Sequence, residues 1–98
     1  MLEKQIEQKL VRTVKAAGGW ALKFTSPGTA GVPDRIVLMP PGRAAFVETK
    51  APGKKLRPLQ IRRKKQLEKL GFKVYVIDDP EQIRKLMEEV MPGEVHST

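Results

Sequence analysis

The sequence predicts a mixed fold of class α/β (α+β), in which helices flank a small mixed sheet. Three observations predict it. An N-terminal segment carries apolar residues at helical spacing. Two short β-type segments follow, joined by a proline-glycine turn. A helix opened by proline then leads into another apolar strand, giving the order α-β-β-β-α-β-α. At 98 residues the chain has the size of one domain, and we expect a single domain over 1–98 with a short flexible tail from about residue 92.

Each element has its own signal. Leu2, Ile6, Leu10, Val14 and Ala17 repeat at helical spacing over 2–17, and Gly18-Gly19 stops that helix. "WALKF", 20–24, reads as a short strand, and "TSPGTAGVP" as a loop of turn formers. "DRIVLM", 34–39, and "AAFVETK", 44–50, read as two strands of a hairpin turned by "PPGR". "APGKKLRP" is a basic loop. Pro58 suits the first turn of a helix that runs to about Leu70 and ends at Gly71. "FKVYVI", 72–77, is the next strand, and Asp79 with Pro80 opens a last helix as N-cap and first residue.

Composition narrows the chemistry. There is no cysteine, which excludes disulfides and thiolate metal sites, and the one histidine, His96, excludes a histidine triad or a multi-histidine centre. No apolar run approaches the ~18 residues of a membrane span. The N-terminal "MLEKQIEQKL" has no apolar core of a signal peptide, so a cytoplasmic location is expected. The net charge of +8 calls for a polyanionic partner, and nucleic acid is the usual one.

The hairpin carries the chemistry. Alternation along the strand puts Ala44, Phe46, Glu48 and Lys50 on one face, and Ala45, Val47 and Thr49 on the other. The turn folds the start of one strand beside the end of the next, so Asp34 and Glu48 become neighbours with Lys50 close by. Two adjacent carboxylates repel. A divalent cation removes that cost, and Mg2+ suits a site with few carboxylates, retained waters and phosphate oxygens. Mn2+ is expected to substitute. A bound metal can activate water, and a lysine beside it adds electrostatic stabilisation, which are the parts needed to hydrolyse a phosphodiester.

Pro33-Asp34 followed by Glu48-Thr49-Lys50 across a hairpin, after an N-terminal helix, resembles the PD-(D/E)XK nuclease superfamily. With "KFTSPG" before the motif and "KAPGKKLRPLQ" after it, the stretch from Glu3 to about Asp79 is similar to stand-alone VRR-NUC (virus-type replication-repair nuclease) domains. The resemblance implies an αβββαβ core, dependence on divalent metal and cleavage of DNA, often at branched structures such as four-way (Holliday) junctions. It implies that Asp34 and Glu48 bind metal, that Lys50 is the catalytic lysine, and that the Thr49 backbone carbonyl is a further ligand. A glutamate on the first helix completes the metal site in related resolvases. Glu7 resembles that position, with Glu3, one turn earlier, as the alternative.

On the second helix, Leu59, Leu67 and Leu70 set the buried arc. Gln60 falls within it, and a buried amide needs partners. The glutamine after the lysine loop of the family implies a contact with water or phosphate in the active site. DNA contacts are expected from Lys23, Ser26, Arg35, Lys54, Lys55, Arg57, Arg62, Arg63 and Lys64, with Arg43 and Lys65 adding charge. Such side chains position a duplex without reading sequence. A homodimer is expected, because one small domain holds one site and a symmetric junction needs two cuts. Val11 and Ile61 are the candidate seam residues. Two other readings stay open on sequence alone: a non-catalytic basic nucleic-acid-binding module, and a nuclease of the same fold with flap or duplex preference.

Overall fold

The structure, a computed structural model, describes residues 1–91. The expected tail from about 92, with His96, lies outside them. The elements are α1 (Glu3–Ala16), β1 (Trp20–Lys23), β2 (Arg35–Met39), β3 (Arg43–Thr49), α2 (Pro58–Lys69), β4 (Lys73–Ile77) and α3 (Glu81–Val90). The expected order of helices and strands is the one found. Boundaries differ by a residue or so, as fraying ends do. Arg43 belongs to β3 rather than to the turn, and Lys50 lies just past the strand, its amide still donating to the Ile77 carbonyl at 2.9 Å. Asp79 acts as the expected cap: its Oδ1 accepts the Glu81 amide at 2.9 Å, and Pro80 already has helical angles (φ −56, ψ −30).

The sheet runs β1-β2-β3-β4, antiparallel across the first two junctions and parallel across the last. Ile6, Leu10 and Val14 form the apolar stripe of α1, and all three are fully buried. They pack with Ile83, Leu86 and Val90 of α3 on the sheet face bearing Val37, Met39, Ala45, Val47 and Ile77. The tight return from α1 into β1 needs Gly19, because a Cβ there would sit 2.6 Å from the Leu38 carbonyl oxygen.

The other sheet face is covered differently from expectation. The sequence assigns Leu59, Leu67 and Leu70 to a buried arc of α2, yet the helix holds no buried residue, and Leu70 is 73% exposed. The helix contacts β4 and the loop after β1 rather than lying across the core. Gly31 marks the loop contact: at φ +88, a Cβ would lie 2.7 Å from Leu59 Cγ. Arg63 ties the same loop, donating from Nε to the Ala30 carbonyl at 2.8 Å. What fills this face is an aromatic row, with Phe46 edge-on to Phe24 and Phe72 at centroid distances of 5.3 and 5.7 Å. Val11, expected at a dimer seam, packs against the core instead, whereas Ile61 is exposed.

Candidate active site

The register sets the site. Arg35 pairs with Val47, so Asp34 and Glu48 follow as opposed residues at the open end of the hairpin. Neither carboxylate is free to drift. Thr49 donates its amide to Asp34 Oδ1 at 3.0 Å and its hydroxyl to Oδ2 at 2.7 Å. Glu48 Oε2 accepts from Gln60 Nε2 at 3.1 Å and lies 3.9 Å from Lys50 Nζ. Gln60 is held in turn by its Oε1, which accepts the Arg57 amide at 2.9 Å. The start of α2 therefore delivers Gln60 to the site, although the helix buries little.

Glu48 is only 8% exposed. Burial first, and then the negative charge of Asp34, push its carboxyl up from 4.5 to about 7. Lys50 and the Asp34 backbone offset part of this, and the charge of Glu3 adds to it. A site that makes its own carboxylate hard to ionise favours a cation. Two neighbouring carboxylates are an all-oxygen donor set of the kind that suits Mg2+ or Mn2+. Among the described residues, no group of three or more acids is already gathered around one point.

The two acids of α1 have different surroundings. Glu7 Oε2 accepts from Arg35 Nε at 2.9 Å, and Arg35 Nη1 donates to the Ala21 carbonyl at 3.3 Å. Arg35 alternates with Asp34 and shares the core face with Val37, so Glu7 is drawn to the side of the sheet away from Glu48. Arg35 is thereby held in an ion pair, with its Nε on Glu7.

The other basic residues divide. Lys54, Lys55 and Arg57 are exposed in the loop directly after Lys50, and Arg62 is exposed on α2. Lys23 lines an exposed groove with Lys4 and Arg12 beside the Glu7–Arg35 pair. Ser26 is half-buried in the loop before Asp34, where its carbonyl accepts the Thr29 amide at 3.0 Å. Lys64 pairs with Glu68 at 2.9 Å on the exposed face of α2, and Arg63 donates to the Ala30 carbonyl and to Gln66. Arg43 reaches the Val90 carbonyl at 3.4 Å from the far end of the hairpin. Sequence reasoning missed the Thr49 side chain, which alternation places on the core face, and the Glu7–Arg35 pair, which joins residues 28 apart.

Comparison with known proteins identifies the family. Residues 2–78 match the family model of the VRR-NUC domain. The chain is 51% identical over 76 residues to "Putative nuclease p44" of Acyrthosiphon pisum secondary endosymbiont phage 1, covering 78% of this chain and 82% of that protein. A solved structure described as a VRR_NUC domain superposes with a TM-score of 0.82 at 32% identity, covering 88% of this chain and 94% of that one. The matched span begins in front of α1 and ends just after β4, so it contains every element that builds the paired carboxylates, and the chain belongs to the VRR-NUC family of nucleases.

Proposed function

We propose that this chain is a divalent-metal-dependent DNA endonuclease that hydrolyses phosphodiester bonds in branched DNA, four-way junctions among them. The observation that carries the reading is the meeting of Asp34 with a buried Glu48 raised to about 7. A binding module that only held phosphates would gain nothing from two acids placed there, since they repel the same anion.

Asp34, Glu48 and the Thr49 carbonyl would hold Mg2+ or Mn2+, with Glu3 as the helix acid. When bound, that ion supplies an activated water and charge stabilisation at phosphorus. Lys50, with its side chain 11% exposed and 3.9 Å from Glu48, would orient the attacking water and offset charge on the phosphate. Gln60 holds Glu48 and presents its amide to the same space. Lys54, Lys55, Arg57 and Arg62 would lead the duplex backbone to the site, and Lys23 would add a phosphate contact from the groove beside Glu7 and Arg35.

A homodimer accompanies this reading. Trp20, Leu38 and Ala44 are cross-strand partners on the sheet face that α1 and α3 leave open, and Trp20 is 64% exposed. Phe72 and Leu70 extend the apolar surface, which a second copy would cover. Two copies bring two sites to two strands.

The test uses labelled duplex, flap and four-way substrates with Mg2+, Mn2+ or EDTA. Cleavage is expected with either metal and strongest on branched substrates. Glu48→Gln and Lys50→Ala are expected to abolish it while DNA binding persists. Full activity in EDTA, or wild-type cleavage by Glu48→Gln, would overturn the reading.

A further inference from the structure

We propose that Thr49 is a positioning residue for Asp34, its amide and its hydroxyl each holding one carboxylate oxygen so that the group keeps a single orientation beside Glu48. This rests on the nuclease reading above and adds to it a role for a side chain that the motif leaves unspecified.

The local geometry shows why a threonine stands there. Thr49 is fully buried, pairs with Ile77 and follows Val47 on the apolar face. Valine would fill that space equally well. A buried hydroxyl without a partner is costly, and the Thr49 hydroxyl has one partner, Asp34 Oδ2 at 2.7 Å. The hydroxyl is therefore matched to the carboxylate rather than to the core.

The strand ladder explains the rest. The pairing of β2 with β3 ends at Arg35 with Val47, and continuing it sets Pro33 opposite Thr49. Proline has no N–H and cannot donate to the Thr49 carbonyl. On the same rung the Thr49 amide goes to Asp34 Oδ1 at 3.0 Å, a side chain standing in for a strand carbonyl. Pro33, Asp34 and Thr49 thus replace the last backbone rung with a side-chain rung, and Pro33 leaves the Thr49 carbonyl without a donor from that strand. Each carboxylate oxygen has two lone pairs, so Asp34 can accept from Thr49 and still offer electron pairs to a cation. Groups that orient a metal ligand in this way typically cost 10–100-fold in affinity or activity when removed.

The experiment compares Thr49→Val, which keeps the volume and deletes the hydroxyl, with Thr49→Ser, which restores it. Mn2+ affinity of DNA-free protein by calorimetry, melting temperature and cleavage rate are measured for each. Thr49→Val is expected to lose about 10–100-fold in Mn2+ affinity and in cleavage, with Thr49→Ser near wild type. Wild-type Mn2+ affinity in Thr49→Val, even with a lowered melting temperature, would overturn the proposal and leave Thr49 a structural tie. Should Thr49→Val fail to fold, Thr49→Ala against Thr49→Ser gives the same comparison. Asp34→Asn separates the two levels. If it cleaves normally, the nuclease reading fails and this role with it. If it is inactive while Thr49→Val is normal, only the role of Thr49 fails.

Discussion

Glu7 and Arg35 are joined at 2.9 Å, with side chains 22% and 13% exposed, across the interface of α1 and β2. The pair holds the helix at the point where β2 begins, one residue after Asp34. It also gives the two helix acids different surroundings. Glu7 is engaged with a guanidinium, whereas the charge of Glu3 acts on Glu48. Glu7→Gln is therefore expected to lower stability by about 1.5 kcal/mol, the scale of a hydrogen bond to a charged group, and to keep metal-dependent cleavage. Glu3→Gln is expected to do the reverse. Thermal melts and cleavage rates on both variants check this. Loss of cleavage in Glu7→Gln at an unchanged melting temperature would return the metal-site role to Glu7.

The Glu48 carboxyl gives a pH dependence with a definite sign. It is raised from 4.5 to about 7 by burial first and the Asp34 charge second. Between those values the folded chain keeps a proton that the unfolded chain has lost. Metal-free protein should thus lose stability as pH rises through that window, by at most about 3.5 kcal/mol. A divalent cation, if held by the ionised form as proposed, should restore stability above pH ~7. Melting curves across this range in EDTA and in Mg2+ measure the effect. Glu48→Gln should flatten the EDTA profile, and an identical slope in that variant would assign the titration to another group.

The basic loop should act through phosphates alone. Lys54, Lys55 and Arg57 are exposed and adjoin Lys50 in sequence. Replacing all three with alanine should weaken binding to every DNA sequence alike and reduce the salt dependence. The log–log slope should fall by about 0.9 for each phosphate that is no longer neutralised. Binding isotherms over a range of salt concentrations check it, and an unchanged slope would route the duplex elsewhere.

The open apolar sheet face should hold the second copy. Sedimentation at micromolar protein should give about twice the 11.0 kDa of the chain. Trp20→Glu places a charge on the most exposed aromatic of this surface, at its β1 edge, and should yield the monomer mass while preserving the fold, because the side chain is 64% exposed. A Trp20→Glu protein that stays dimeric would move the interface away from this face.

Most of the architecture was legible in the sequence because its signals are local. The stripe of Ile6, Leu10 and Val14, the stops at Gly18 and Gly71, the turn between Met39 and Arg43, and Pro58 each act within a few residues of themselves. Asp34, Glu48 and Lys50 were legible for the same reason, since a hairpin with a short turn fixes which of its residues are opposed. Gln60 was legible as a polar residue inside an apolar arc, although that arc is not buried. Only the tertiary structure decided which face α2 covers, because its position depends on the loop at Gly31 and Ala30 rather than on its own leucines. Only the tertiary structure gave Glu7 and Glu3 different surroundings, because both share one helical arc and the partner of Glu7, Arg35, comes from a distant strand. Side-chain pairing between elements is set by packing, and packing depends on contacts between residues that the linear order keeps apart.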